Sequence, residues 1–171
     1  MKIPAQEASL LFRSREQDPE ALRELVERYV PPIYGFLYSL LGDKAGQEIR
    51  FLTAAFAESL RTLNPSKPKE SFLVAVMRRI VPRLLAQLAH RQVRGSWPGL
   101  EPRLWVLFET LSQLPSEASM LILLRDQMDL SLEDIALVLS KNVRQVKPEL
   151  NRARLDFRDQ IKQTLSMSRR P

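Results

Sequence analysis

Apolar positions along this chain recur mainly at helical spacing. Ala21, Leu22, Leu25, Val26 and Tyr29 lie three or four residues apart, so they share one side of a helix. Asp18-Pro19-Glu20 marks its start: an aspartate to cap, a proline for the first turn, and an acid at the positive helix end. Pro31-Pro32 is expected to interrupt or kink the run, because neither residue has an amide to donate. Ile33, Phe36, Leu37, Leu40 and Leu41 then build another face that ends near Gly42-Asp43. Ile49, Leu52, Phe56 and Leu60 predict a helix over about 45–63, stopped by Asn64-Pro65-Ser66.

The next helical segment spans about 70–93 around Pro82, with Phe72, Ala75, Val76, Ile80, Leu84, Leu85 and Leu88 on its buried side. Gly95-Ser96-Trp97-Pro98-Gly99 mixes flexible and constrained residues and is the best domain boundary. Beyond it, Leu104, Leu107, Phe108, Leu111 and Leu114 form one face, and Pro115-Ser116-Glu117 opens another helix carrying Met120, Leu121, Leu123 and Leu124. The expected fold is all-α: two small helical domains, 1–94 and 104–171, joined by a short linker at 95–103.

The sharpest local pattern follows. Ser131-Leu132-Glu133-Asp134 combines an N-cap with acids in the first turn, and Asp134 is spaced to answer Ser131 reciprocally. Leu132, Ile135, Ala136 and Leu139 supply an apolar face. Ser140-Lys141-Asn142 breaks the helix, and Asn142 is suited to cap its successor, whose inward side is Val143, Val146, Leu150, Ala153 and Phe157. Arg144, Lys147, Asn151, Arg154 and Arg158 share the opposite face. A short helix, a tight turn and a second helix with a basic outer stripe specify a DNA-binding helix-turn-helix. The long cations suit phosphates, and Arg144, Lys147 and Asn151 also suit base edges.

Charge adds a second reason for that reading. The formal net charge of +6 lies entirely in residues 141–171, which hold nine basic and three acidic residues, against 17 and 17 in the rest. Such asymmetry points to nucleic acid or an acidic surface. Arg78, Arg79, Arg83, Arg91 and Arg94 lie in a stretch without acids and form a second candidate nucleic-acid or partner surface. The absence of cysteine excludes a disulfide framework, a thiolate nucleophile and a cysteine-held zinc. His90 is the sole histidine, and no glycine-rich phosphate loop or HExxH motif occurs. No enzyme, cofactor or metal is expected, and no run of about 18 apolar residues predicts membrane insertion.

A family resemblance enters at Leu111-Ser-Gln-Leu-Pro115, Leu123-Leu-Arg125 and Leu130-Ser-Leu-Glu-Asp-Ile-Ala-Leu-Val-Leu139, with Gln145-Val-Lys147 and Leu150-Asn-Arg-Ala-Arg154. These stretches resemble the C-terminal domain of an extracytoplasmic-function (ECF) sigma factor of bacterial RNA polymerase. Asp18-Pro-Glu-Ala-Leu-Arg-Glu-Leu25, Tyr29 through Leu37, and Phe56 follow the family's N-terminal domain in order. The resemblance implies a region 2-like domain over 1–94 and a region 4-like domain over 104–171. It implies a cytoplasmic bacterial transcription factor that binds double-stranded DNA and core RNA polymerase, under the control of an anti-sigma factor or another regulatory protein.

Three departures separate the chain from the usual pattern. Ile49, Arg50, Phe51, Leu52, Thr53 and Ala54 stand where the family carries an acidic signature that contacts the polymerase clamp. The Trp-Leu and Arg-Asn signatures are missing around Ala75-Val76 and Val81-Pro82. Pro148 and Glu149 replace a Ser-Arg pair after Lys147; proline removes a helical bond, and a carboxylate facing the duplex repels phosphate. The expected function is a divergent sigma factor or sigma-like DNA-binding regulator. The alternative is a protein-interaction module that keeps the fold without reading promoters; Trp97 and Trp105 would serve it as contacts where exposed, and are equally suited to packing within their domain or against its neighbour.

Overall fold

A computed structural model describes residues 5–66, 70–90 and 96–167. Helix α1 covers Ala5–Arg15, α2 Pro19–Leu41, α3 Ile49–Thr62 and α4 Phe72–His90. The second half holds α5 (Pro102–Gln113), α6 (Ser116–Ile122), α7 (Leu132–Leu139) and α8 (Val143–Met167). A 3-10 segment, Gly42–Glu48, precedes α3, and a π-turn, Leu123–Gln127, extends α6. The described residues form no strand, as the helical periodicity requires.

Helix α1 has no counterpart in the expectations above. Its inward positions are Glu7, Leu10, Leu11 and Ser14, at helical spacing but half polar. The polar pair hides the apolar stripe, and both polar groups find partners. Ser14 donates to the Leu10 carbonyl at 2.8 Å, and a Glu7 carboxylate oxygen accepts the Phe72 amide at 2.7 Å. Glu7 thereby caps the start of α4 from another helix, satisfying one of the amides a helix N-terminus leaves unpaired. Tyr29 lies against the same carboxylate; burial and that negative charge push its phenol up to about 12.

Asp18 caps α2 as expected, accepting from the amides of Glu20 and Ala21 at 2.9 and 3.3 Å. Pro31 and Pro32 do not end α2, so of the two outcomes expected there, interruption or kink, the interruption does not occur. Both prolines are exposed, and so are Glu27 and Arg28, whose carbonyls lose their helical donors. Water can replace those donors on a solvent-facing side, while Leu25, Ile33, Phe36 and Leu37 hold the other side in the core. Pro82 within α4 is accommodated in the same exposed manner. The helix expected from about residue 45 begins four residues later, because the 3-10 segment takes up the start of that range.

The two halves share one hydrophobic core. Phe36, Phe72, Val76 and Ile80 of the first half belong to the same buried cluster as Met120, Leu124, Ile135 and Leu150 of the second. Helix α4 packs along α7 and touches α6, and α2 meets α5. Trp97 is 3% exposed, so the boundary segment is packed down rather than loose. Its indole Nε1 donates to the Tyr38 carbonyl at 2.9 Å, and its ring lies 6.0 Å from that of Phe108. The Asp43 amide donates to the Ser96 carbonyl at 2.8 Å. Gly42 adopts φ +58°, and a β-carbon there would lie 2.3 Å from the Ser96 carbonyl oxygen. Only glycine admits so close an approach.

Candidate nucleic-acid interface

The helix-turn-helix is built locally, and its turn is heavily bonded. The Asp134 amide donates to Ser131 Oγ at 3.1 Å, and the Ser131 amide reaches the Asp134 carboxylate at 3.4 Å. This is the reciprocal capping box read from sequence, with Asp in place of Glu or Gln. Helix α7 ends on Ser140 in the left-handed conformation, φ 53°, where the Lys141 amide closes onto the Ala136 carbonyl at 2.9 Å. Asn142 then caps α8: its Oδ1 accepts the Arg144 amide at 2.9 Å, while Gln145 Oε1 accepts the Asn142 amide at 3.3 Å.

Val146, Leu150 and Ala153 of α8 are buried, and Phe157 is half-buried against the core. Val143, expected on the inward side, is instead exposed at the helix start. Arg144, Lys147, Asn151, Arg154 and Arg158 are all exposed, so the predicted stripe exists as a surface. Its members differ in electrostatic state. Arg154 makes a two-point contact with Asp126 of the π-turn; that hydrogen bond raises its pKa further and outweighs the opposing effect of partial burial. Arg158 has a loose neighbour in Asp159 at 3.6 Å. Among the described residues, Arg144 and Lys147 have no carboxylate within ion-pair distance. They remain available to an external anion. Arg152, outside the predicted set, is also exposed, a quarter-turn round the helix from the stripe.

The two departures in α8 have structural answers. Helix α8 runs unbroken through Pro148, which is exposed, so the missing amide leaves a solvent-facing carbonyl at Arg144. Glu149 is drawn into an ion-pair cluster, its carboxylate 2.6 Å from Lys141 Nζ, which is also 2.6 Å from Glu117 at the start of α6. Burial alone would push the Lys141 ammonium down, but hydrogen bonds to Glu117 and Glu149 prevail and hold it above its ordinary value.

The second candidate surface is largely tied up. Arg78 donates to both Glu70 oxygens at 2.8 and 3.0 Å. Arg79 is held by the Ala75 carbonyl at 2.8 Å and Thr62 Oγ1 at 2.7 Å. Arg83 lies 4.2 Å from the centre of the Phe51 ring, with its Nε 3.9 Å from half-buried Glu48. The stretch contains no acid of its own, yet folding supplies Glu70 at its edge and Glu48 from another element. Arg91 and Arg94 lie outside the described residues.

On α3, Ile49, Arg50, Thr53 and Ala54 form an exposed surface without an acid, whereas Leu52 turns into the core and Phe51 is covered by Arg83. Trp105 is 44% exposed on α5, close to exposed Leu104 and Leu107. Among the described residues, no group of three or more His, Cys, Asp or Glu side chains is placed to hold a metal ion. No described helix is long and apolar enough to cross a membrane.

Comparison with known proteins agrees with both halves of this architecture. Residues 105–157 match the family "Sigma-70, region 4". A solved structure of CnrH in complex with the cytosolic domain of CnrY superposes with a TM-score of 0.73 at 19% identity, covering 93% of this chain and 98% of that one. This chain shares the fold of CnrH over nearly its whole length, and its second half carries the sigma-70 region 4 match. The family match spans the turn at 140–142 and ends at Phe157, so the interface described above lies within it apart from Arg158. The sigma-like superposition extends beyond the family match to the first half, where the sequence pattern was weaker. No curated protein matches the chain by sequence.

Proposed function

We propose that this chain is a divergent ECF-type sigma factor whose α7–α8 unit binds double-stranded promoter DNA. The observation that carries this reading is the exposed stripe on α8, with Arg144 and Lys147 uncompensated, on a helix-turn-helix inside a sigma-like fold. Residues 1–94 would act as the region 2-like domain, 104–171 as the region 4-like domain and 95–103 as their connection. Arg144, Lys147, Asn151, Arg154 and Arg158 are assigned to DNA. Phosphate contacts supply affinity and register, and Arg144, Lys147 and Asn151 are suited to base edges in the major groove. The bond-making chemistry of transcription belongs to core RNA polymerase, and that role would put the chain in the bacterial cytoplasm.

CnrH was solved in complex with the cytosolic domain of CnrY. By analogy, a regulatory protein of anti-sigma type is assigned here as a partner. The test is transcription by the purified chain with core polymerase on a promoter selected from genomic fragments. Specific initiation is the expected result; failure to bind core polymerase would overturn the sigma-factor reading. One observation favours an alternative: α3 presents Ile49, Arg50, Thr53 and Ala54 where the family presents acids to the polymerase. Sequence-specific duplex binding without polymerase binding would identify a sigma-like DNA-binding regulator. Neither activity would identify an interaction module that has kept the fold.

A further inference from the structure

Pro148 is exposed in the second turn of α8, one turn after Arg144 and one turn before Asn151 and Arg152, which are exposed too. At about 100° of rotation per residue it lies about 40° from Arg144 and about 60° from Asn151, and roughly 140–160° from buried Val146, Leu150 and Ala153. Its ring therefore points away from the core, among the groups assigned above to DNA. A proline inside a helix deprives the carbonyl four residues back of its donor and crowds the preceding turn. Here that carbonyl belongs to Arg144, and the ring lies outside the buried cluster, so core packing does not offset the loss. A residue that destabilises its own helix, on the face held out to a ligand, is a common form of stability given up for function.

The first turns of a recognition helix are the ones that reach base edges, and Pro148 falls in that stretch. Its ring carries no hydrogen-bonding group. In the major groove guanine, cytosine and adenine present polar groups, whereas thymine adds a C5 methyl. The ring set against a polar edge would desolvate it without replacing its hydrogen bonds. Set against the methyl, it buries apolar surface on both sides.

We propose that Pro148 is a specificity-determining residue of the α8 interface: its ring packs on the C5 methyl of a thymine, while Arg144, Lys147 and Asn151 supply the polar contacts around it. The assignment rests on the DNA-binding reading above and adds to it the identity of one base. A serine at this position would bond to several base edges, whereas the ring selects one.

The test replaces each thymine of the selected duplex in turn by deoxyuridine, which lacks only the C5 methyl, and reads binding of the full chain by fluorescence anisotropy. Wild type is expected to lose about fourfold at one thymine, the effect of exposing one methyl-sized apolar group. P148S should bind the thymine and deoxyuridine forms of that position equally. Its salt slope should match that of wild type, because no charge changes. The serine variant regains a helical amide, so folding is not at risk, and circular dichroism checks it. If P148S shifts affinity by the same factor for both forms, so that the discrimination persists, the proline acts through the shape of the helix and the proposal is overturned. Wild-type binding that is specific yet indifferent to every thymine methyl overturns it as well. Wild-type chain that binds no duplex defeats the DNA-binding reading first and this inference with it, an outcome distinct from the other two.

Discussion

The carboxylate of Glu7 accepts the backbone amide of Phe72 across 65 positions of sequence. This bond joins the first helix to the start of the fourth, where α4 has a free amide and Phe72 is completely buried. Glu7→Ala leaves that amide unpaired in a dry site and is expected to destabilise the fold by about 1–3 kcal/mol. Glu7→Gln keeps an oxygen acceptor and should lose less. Urea unfolding followed by circular dichroism distinguishes them; equal midpoints for wild type and Glu7→Ala would refute the trans-cap.

Trp97 and Gly42 make the connection between the halves part of the core. The Tyr38 carbonyl accepts both the Trp97 indole and the Gly42 amide. Trp97→Phe, which retains the Gly42 bond, should cost about 1 kcal/mol, whereas Trp97→Ala should cost about 3–5 kcal/mol by opening a cavity. Gly42→Ala meets both a left-handed φ and the Ser96 backbone, so a loss of about 2 kcal/mol or more is expected. Thermal unfolding of the three variants gives the ranking, and a Gly42→Ala protein as stable as wild type would contradict the close approach.

Asp18 links capping to pH. The Arg13 hydrogen bond, followed by the Ala21 amide, holds its carboxyl below the ordinary aspartate value. A depressed folded pKa contributes stability that is present above the unfolded value near 3.9 and is lost as pH falls through the lower folded value. Asp18→Ala should therefore lower Tm at neutral pH, and the gap from wild type should narrow on acidification below about pH 4. A gap independent of pH down to 2 would rule out the charged cap.

Pro148 is retained in α8 without a compensating bond to its missing amide position. Pro148→Ala restores a donor to the Arg144 carbonyl and relieves the ring's crowding against the preceding turn, for an expected gain of up to about 3 kcal/mol. Denaturant midpoints check it; a less stable alanine variant would mean that the proline ring contributes packing.

Arg144 and Lys147 should dominate the salt dependence of DNA binding. Substituting both by alanine is expected to reduce the slope of log K against log salt by about two. Arg154→Ala should differ in also releasing Asp126, whose freed carboxylate adds repulsion that Asp126→Asn relieves. Titrations at several salt concentrations measure both effects, and a slope unchanged by the double substitution would remove α8 from the interface.

The helix-turn-helix was legible because its determinants are local. Ser131 and Asp134, Asn142 and Gln145, and the buried Val146-Leu150-Ala153 series interact within a few residues of one another, so spacing alone specifies them. Helix α1 was not legible because half of its inward face is polar, and the group that makes Glu7 acceptable there is an amide in α4. Continuity through Pro31-Pro32 was likewise hidden, since exposure of the affected carbonyls depends on which side of α2 meets the core.

The sequence by itself determined the helical class, the capped turn and the outward placement of Arg144, Lys147, Asn151, Arg154 and Arg158, because periodicity and capping act over one or two turns. Only the tertiary structure decided which cations are uncompensated. Asp126 reaches Arg154 across 28 residues and Glu70 reaches Arg78 across eight. Lys141 collects Glu117 and Glu149 from two different helices. Charges are neutralised by neighbours in space, and spatial neighbours are set by how helices pack rather than by the pattern within any one of them.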